Sequence, residues 1–262
     1  MTWIDIATWG ALALLPLFIV IDLIYRARRY DTPRFWRLRA LAVTVVAFAL
    51  SFAVPMVWAR MLGTWTLLDL TVLGTLGGAI VGILVYELGH YWYHRTMHRN
   101  DKLWKVFHQM HHSPESLDVW GAYFLAPTDV IGFVTLQTLV FGPLLGLPVG
   151  AVVIGSVFLT FNAVFQHANL RTPAWLGYFI QRPESHGIHH ERGVHAYNYS
   201  DLPLWDMVFG TFRNPREFQG EVGFWNGASS KIGAMLLARD VSVAPTELVP
   251  AEVTEAPVKR VA

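Results

Sequence analysis

Residues 86–112 read YELGHYWYHRTMHRNDKLWKVFHQMHH and contain six of the chain's eleven histidines. The first three stand four residues apart, and the next three follow an i, i+3, i+4 pattern: His90, His94, His98, His108, His111 and His112. Residues four apart lie on the same face of a helix, so the spacing predicts helical faces lined with imidazoles. Imidazole is the commonest metal-binding side chain, and it binds as the neutral base near physiological pH. The stretch therefore predicts a metal site.

The same pattern returns later in the chain at His186, His189 and His190, and single histidines stand at His167 and His195. One HxxxH or HxxHH group alone is often an ordinary packed or surface pair. Three such groups together favour a metal site over packing. So many imidazoles at helical spacings also indicate more than one metal ion.

The composition is that of a membrane protein. Hydrophobic residues make up 53% of the 262 residues and charged residues only 15%, with a mean hydropathy of +0.37. A soluble domain usually carries about 25% charged residues. The 11 Trp and 9 Tyr fit a chain that crosses two water–lipid interfaces, where amphipathic rings settle. A net charge of +1 gives no electrostatic reason to expect a nucleic-acid partner.

Long apolar runs predict the membrane segments. Runs of about 18 residues or more are typical of membrane helices, and three occur, at residues 6–25, 40–58 and 67–89. A further apolar run, 130–166, is broken in its middle by Pro143 and Pro148. We interpret it as a helical hairpin, either fully spanning or shallow, with one long kinked helix as the alternative.

These patterns predict an all-α fold. The expected architecture is a multi-pass membrane helical bundle of about four to five spans or re-entrant helices, with a cytoplasmic helical cap that holds a histidine-rich two-metal site. Residues 1–84 would form the N-terminal transmembrane helices, 85–213 the histidine-bearing domain with its membrane hairpin 130–166, and 214–262 a C-terminal tail. The last part of that tail, 239–262, is expected to be weakly ordered.

Arginines predict the orientation of the bundle. The loop 26–39 carries six of them, and arginine-rich loops stay on the cytoplasmic side. The third span then ends on that side just before His90, and the hairpin leaves and returns on the same side. All the histidines are therefore expected together on the cytoplasmic face.

The type of metal chemistry can be narrowed. Cysteine is absent, which excludes disulfides, thiolate zinc sites and cysteine-ligated iron–sulfur clusters. Nitrogen-rich ligation suits Zn, Fe, Cu or Ni, but a zinc hydrolase needs only about three protein ligands. The HExxH metalloprotease motif is absent, because Val194 stands four residues after His190. A di-iron oxygenase in a bilayer needs many neutral ligands on helices, an apolar passage and an outside electron source, and this chain meets these requirements.

At this point four segments resemble a known family. They are HYWYHRTMH at 90–98, FHQMHHS at 107–113, ESHGIHH at 184–190 and NYSDLPLWDMVFGTF at 198–212. Their order and spacing resemble the fatty acid hydroxylase / sterol desaturase superfamily, whose signature is HxxxH, HxxHH and HxxHH followed by an N-Y…W-D…F-G-T segment. The resemblance covers roughly residues 85–213. It implies an integral-membrane di-iron enzyme that uses dioxygen to hydroxylate or desaturate a lipid.

The resemblance also implies the metal ligands. Nine positions match the family's histidines: His94, His98, His108, His111, His112, His167, His186, His189 and His190. His90, one turn before the HxxxH pair, and His195 are the additional candidates, and His195 otherwise reads as a loop histidine. The resemblance implies two Fe²⁺ ions, although nitrogen sites also take up zinc in purified samples.

Other residues are expected behind the ligands. Glu87 either orients a ligand histidine or caps the helix at the membrane edge. Asn198, Tyr199, Trp205 and Asp206 match the family's closing segment, and Trp205 and Asp206 are expected to lock the third histidine group in place. Asp118 and Asp129 are interpreted as the starts of a loop and a helix.

The expected function is that of an oxidoreductase acting on a lipid such as a sterol, a fatty acyl chain or a carotenoid. No motif for haem, flavin or nicotinamide occurs in the sequence, so the electrons would come from an external ferredoxin, cytochrome or reductase. Two alternatives remain open: a metal-dependent membrane lipid hydrolase or isomerase, and a non-enzymatic protein that handles metal. Transport is disfavoured because the spans carry few polar residues.

Overall fold

The computed structural model describes residues 1–245, and in that part of the chain the architecture is all-helical apart from one isolated β-bridge between Glu191 and Val222. The longer helices are α1 (Trp3–Ile24), α2 (Trp36–Leu62), α3 (Gly74–Arg99), α6 (Pro127–Leu139) and α7 (Val149–Phe165). Short helices complete the chain: α4 (Asp101–Leu103), α5 (Gln109–His112), α8 (Pro183–His189), α9 (Leu204–Val208) and α10 (Ile232–Leu236). A π-helical turn, Trp104–His108, joins α4 to α5.

Three segments within residues 1–245 are long and apolar enough to cross a membrane: Trp3–Ile24, Trp36–Leu62 and Thr71–Arg99. They overlap the three predicted spans, but each helix continues beyond its most apolar part because the ladder of backbone hydrogen bonds continues into the polar ends. In particular, α3 runs unbroken to Arg99 and carries the first three histidines. It begins at Gly74 rather than at residue 67, because the preceding residues pair with another part of the chain.

The apolar run 130–166 forms a helical hairpin, and the alternative of one long kinked helix is wrong. Helix α6 leads into a π-helical turn, Val140–Leu144, and Pro148 caps the start of α7. The tip reaches the connection between α2 and α3, where Leu67 N donates to the Pro143 carbonyl oxygen at 2.7 Å and Leu68 N to that of Leu144 at 3.1 Å. The tip of the hairpin therefore lies at the same level along the bundle as the C-terminal end of α2.

Small residues let the hairpin lie close against α3. A Cβ atom at Gly78 would stand 2.9 Å from the Cβ atom of Ala151, and one at Gly82 would stand 2.6 Å from Cδ1 of Leu147. Neither distance is tolerated between real carbon atoms. The glycine-rich α3 is thus matched to α7, as is common where membrane helices pack closely.

A buried carboxylate ties the first helix to the histidine-bearing region. Asp22 lies near the end of α1 and is 5% exposed. Its carboxylate accepts hydrogen bonds from the backbone N–H of Val119 and of Asn169, each at 2.9 Å. Asn169 lies two residues beyond His167, so this contact fixes α1 relative to the centre of the molecule.

The first part of the predicted tail packs back onto the segment that contains the π-helical turn and α5. Phe224, Met235 and Val241 are buried in one apolar cluster with Trp104 and Met110. The backbone at 239–241 also bonds the buried Gln109, whose amide donates to the Arg239 carbonyl oxygen at 2.9 Å. Residues 239–241, the start of the stretch expected to be weakly ordered, are therefore placed by contacts, and residues 246–262 lie outside the described residues.

Candidate metal centre

Five histidines from three parts of the chain form a first group. They are His94, His98, His108, His112 and His189, all buried, and one ring nitrogen of each lies within 4.8 Å of the others. Nε2 of His94 is 2.7 Å from Nε2 of His108 and 3.2 Å from Nε2 of His98. Nε2 of His112 and of His189 have no hydrogen-bond partner within residues 1–245.

The outward-facing nitrogens of this group have partners that fix the tautomer. Nδ1 donates to a backbone carbonyl in three cases, each at 2.7 Å: His94 to Tyr199, His98 to His195 and His189 to Tyr197. A carbonyl oxygen can only accept, so Nδ1 carries the proton and Nε2 keeps a lone pair. His108 Nδ1 likewise donates to the Asp129 carboxylate at 2.7 Å.

The inward-facing nitrogens are therefore neutral bases that point at one another. Burial, and then the neighbouring His94 and His98, lowers the pKa of His108 well below its usual range. Burial lowers the pKa of His189 to about 3. Lone pairs this close repel unless a cation lies among them. The donor set thus fits a bound metal ion and does not fit a hydrogen-bonded histidine cluster.

The other four predicted ligands form a second group: His111, His167, His186 and His190. Their Nε2 atoms stand 3.1–3.2 Å apart in the order His111, His167, His186, His190. Nδ1 of His167 donates to the Ala163 carbonyl at 2.8 Å, which again leaves Nε2 unprotonated. Burial lowers the pKa of His167 to about 4. Burial keeps all four imidazoles neutral, and their closely spaced Nε2 atoms fit a second ion.

The two HxxHH segments do not each present one face, which corrects the expectation from their spacing. In the first segment, His108 and His112 join the first group and His111 joins the second. In the other segment, His186 and His190 join the second group and His189 joins the first. Consecutive helical residues point about 100° apart, so each segment supplies both groups. The groups adjoin, because the rings of His112 and His190 stack with centroids 4.1 Å apart.

One irregular segment, residues 195–199, accepts hydrogen bonds from three histidines of the first group. Alternate carbonyls along it, at His195, Tyr197 and Tyr199, accept the three Nδ1–H bonds described above. The backbone takes left-handed φ values at His195, Tyr197 and Asn198. Asn198 holds this shape, since its side chain donates to the Ser185 and Arg213 carbonyls at 2.8 and 2.9 Å. Asn198 thereby joins the segment to α8, which carries His186 and His189.

Asp206 supports the same segment from the other side. Its carboxylate accepts from the backbone N–H of Tyr199 and of Ser200 at 2.8 and 2.9 Å and from the Thr211 hydroxyl at 2.7 Å. Burial raises the pKa of Asp206 to about 6. Asp206 therefore acts through the Tyr199 carbonyl on His94. The third histidine group, which it was expected to hold, is held more directly by Asn198.

Asp129 has a role that its sequence position did not reveal. It lies in the first turn of α6, as expected of a residue at a helix start, but it is fully buried and its carboxylate accepts from His108. The available signal was a carboxylate at the edge of an apolar run, because ionisable residues there are usually functional.

His90 and Glu87 lie together beside the two groups rather than within them. Nδ1 of His90 is 3.5 Å from the Glu87 carboxylate, and the His90 ring stacks on His94 with centroids 5.5 Å apart. Glu87 is fully buried, so it does not cap the helix in solvent, and it accepts from the Ser200 hydroxyl at 2.8 Å. Asp201 completes this cluster, and burial together with the Glu87 carboxylate raises the pKa of Asp201 to about 7.

His195 also lies outside both groups but contacts the first. Its carbonyl oxygen accepts from His98, and its Nδ1 is 3.1 Å from Nδ1 of His112. It thus supports two histidines of the first group.

A large cavity leads from both groups into the helical bundle. It has a volume of about 590 Å³ and is lined by histidines of each group, among them His94, His108, His111 and His167. Its walls are otherwise mainly apolar side chains of α1, α2, α6 and α7, such as Leu12, Phe52, Phe133 and Leu159. A cavity of this kind suits a hydrocarbon chain.

The profile of the fatty acid hydroxylase family matches residues 79–211, half of the chain. The chain belongs to this family. It is similar to sphinganine C4-monooxygenase 1 of Arabidopsis thaliana, 26% identical over 51% of this chain and 53% of that protein. It is also similar to alkylglycerol monooxygenase of Danio rerio (32% identical over 50% of this chain and 30% of the relative) and to ornithine lipid hydroxylase OlsE of Rhizobium tropici (30%, over 52% and 42%).

The chain thus spans about half or less of the length of the curated relatives it matches. No solved structure matches it. The matched residues include every histidine of both groups, whereas α1 and α2 lie outside the family match.

Proposed function

We propose that this family member is an integral-membrane di-iron oxygenase that hydroxylates an alkyl carbon of a lipid, using dioxygen and electrons from an external donor. The observation that carries the proposal is the convergence of nine neutral imidazoles on two adjoining points at the head of an apolar cavity. The relatives reported above are named as monooxygenases of sphinganine and alkylglycerol and as a hydroxylase of ornithine lipid, which supports the same reaction class.

The proposed ligands divide five and four between two iron ions. His94, His98, His108, His112 and His189 would hold the first ion, and His111, His167, His186 and His190 the second. Bound iron would supply activation of dioxygen for attack on an unactivated C–H bond. Asp129 and the carbonyls of residues 195–199 fix the tautomers and ring orientations of His94, His98, His108 and His189, as outer partners of metal-bound histidines do.

The chain's own contribution to the reaction is positioning and exclusion of water. Phe133 packs its edge against the rings of His90, His94 and His108 with centroids 5.0–6.1 Å away. It therefore forms an apolar wall beside the first group. A lipid carbon held against this wall would be close to the centre and shielded from solvent, which is the geometry that such a reaction needs.

The metal centre is proposed to face the cytoplasm. Its support is the arginine-rich 26–39 loop, together with Arg95 and Arg99 at the end of α3. A cytoplasmic ferredoxin, cytochrome or reductase would then reach the centre from the side on which cellular reductants occur. Zinc would occupy the same nitrogen donors in samples purified without added iron.

The test uses the full chain, loaded with iron, reduced and incubated with membrane lipids under heavy-isotope dioxygen. The proposal predicts a lipid product that carries the heavy oxygen and that does not form without dioxygen. Hydrolysis or isomerisation of lipid in the absence of oxygen would instead support the alternative enzyme class. If no lipid is changed while both ions are bound, the protein handles metal without catalysing this reaction.

A further inference from the structure

The cavity is lined in part by α1 and α2, two of the helices that are long and apolar enough to cross a membrane. Helix α1 packs along α7 and α2 packs along α6, whereas α1 and α2 make little contact with each other. Both helices nevertheless line the cavity, α1 through Leu12 and α2 through Phe52. These side chains are also 39% and 61% exposed, so they face the outer surface and the cavity at once.

The gap between α1 and α2 does not extend to the metal centre, because side chains close it there. Nearer the metal centre, Phe48 of α2 packs against the cluster that contains Leu15 and Phe18 of α1. Phe48 also meets Tyr123 with ring centroids 5.0 Å apart. The gap therefore begins about midway along both helices, at the level of Leu12 and Phe52.

The residues that line the cavity favour an apolar occupant. Among the described residues, the only carboxylate that lines the cavity is Asp201, close to the histidines, and no lysine or arginine lines it. Ser51, next to Phe52, has its hydroxyl bonded to the Ala47 carbonyl at 2.9 Å and so offers little polarity. A charged or zwitterionic head group would lose its hydration there without compensation, whereas a hydrocarbon chain would not.

We propose that the cleft between α1 and α2 is a lateral passage that takes a single alkyl chain of a bilayer lipid, connecting the cavity directly with the membrane. This inference rests on the proposed function for the fate of that chain. Binding of the alkyl chain in the passage can be measured separately from its oxidation. The two helices that form the passage lie outside the family match.

The passage would be open to the bilayer at the level of Leu12, and this affects which chain lengths it can bind. Leu12 precedes Asp22 by ten residues of α1, which is about 15 Å along the helix axis, and Asp22 holds the backbone next to His167. An extended chain advances roughly 1.2 Å per bond, so about twelve bonds would fill the distance from the opening to the metal centre. A longer chain would continue into the bilayer, and total chain length would not limit binding.

The absence of native cysteine allows a clean test. The full-length protein is placed in phosphatidylcholine vesicles that contain a phospholipid with a photoreactive group near the end of one chain. We expect labelling at Leu12, Ser51, Phe52 and Phe133. Bridging the Leu12→Cys/Phe52→Cys double variant with a bismaleimide should abolish labelling of Phe133, whereas the single-cysteine variants treated in the same way should keep it. Labelling confined to outward positions such as Leu17 and Val45, or unchanged after bridging, would overturn the proposal.

A second variant tests the open end. Ser51→Trp should close the opening, so that long alkyl chains no longer bind while short ones still do. Val45→Trp, on the exposed face of α2, is the control. An unchanged chain-length profile in folded Ser51→Trp protein would contradict the proposal. These measurements do not depend on catalysis. Labelling of the passage without oxidation of lipid would therefore contradict the proposed function but not the lateral passage.

Discussion

At the level of single residues, Asp129 is the least expected member of the centre. It orients His108 from a position that looks like an ordinary helix start. Asp129→Asn keeps the shape but removes the charge, and we expect metal affinity to fall by roughly 10–100-fold, the usual cost of losing an outer carboxylate. Competition with a chelator measures this. Asp118→Asn is the matched control, because Asp118 bonds Trp36 and Gly121 away from the histidines. Equal affinities in both variants would show that Asp129 is structural only.

The division of the histidines makes a second prediction at this scale. His189→Ala removes one donor from the first group, and His111→Ala removes one from the second. Each change should lower the bound metal and abolish turnover, since neither group has a spare histidine inside it. His195→Ala should do less, because the backbone carbonyl that accepts from His98 remains. Elemental analysis of the purified variants measures the metal, and full metal with full activity in His111→Ala would remove it from the ligand set.

The nine histidines selected from the sequence lie together in the structure, whereas the acceptors of their Nδ1 protons were not predicted. Spacing and family resemblance are enough to select His94 or His190 as a candidate ligand, because helical periodicity depends only on residues near in sequence. The acceptors for the Nδ1 protons are mostly backbone carbonyls of residues 195–199, and a carbonyl leaves no trace in the sequence. The left-handed φ value at Tyr197 is equally invisible, because a bulky side chain of this type rarely adopts it.

At the level of elements, the 195–199 segment should be sensitive to its one anchoring side chain. Asn198→Gly tolerates the left-handed backbone but loses the bonds to Ser185 and Arg213. Leaving these buried backbone groups unpaired should cost about 1–3 kcal/mol and should also reduce bound metal. Thermal unfolding and metal content measure the two effects. Asn226→Gly, at an exposed position, is the control, and an equal melting temperature for both variants would contradict this role.

The contact between α3 and the hairpin gives a prediction about packing. Gly78→Val would place carbon atoms into Ala151 and Pro148, and overpacking of this kind costs about 1–3 kcal/mol. Gly10→Val in α1 meets nothing within 4 Å and should be nearly neutral. The melting temperature in detergent distinguishes them. Similar values would mean that the two helices separate easily.

Helix positions were predicted more reliably than helix ends. Hydropathy located three spans and the proline break of the hairpin, because the apolar runs are long. It missed the late start of α3, since residues 67–70 bond the hairpin tip, a contact between distant segments. Helix α5 was expected to present one face, but the 100° step between consecutive residues sends His111 and His112 to different groups.

At the level of the whole molecule, the bundle brings an apolar cavity and a cluster of neutral imidazoles together at one end. The helices of the family match supply the histidines, and α1 and α2 complete the cavity wall. Asp22 links these two parts through Val119 and Asn169. This arrangement could be anticipated from the sequence only in outline, because the packing of α1 and α2 depends on contacts far apart in the chain.

The central proposal is that nine histidines enclose two metal ions. The most direct measurement is a structure of the iron-loaded chain with anomalous scattering recorded at the iron edge. Two peaks are expected, one among the Nε2 atoms of His94, His98, His108, His112 and His189, and one among those of His111, His167, His186 and His190. A single peak, or a peak between Glu87, His90 and Asp201 with either group empty, would contradict this proposal.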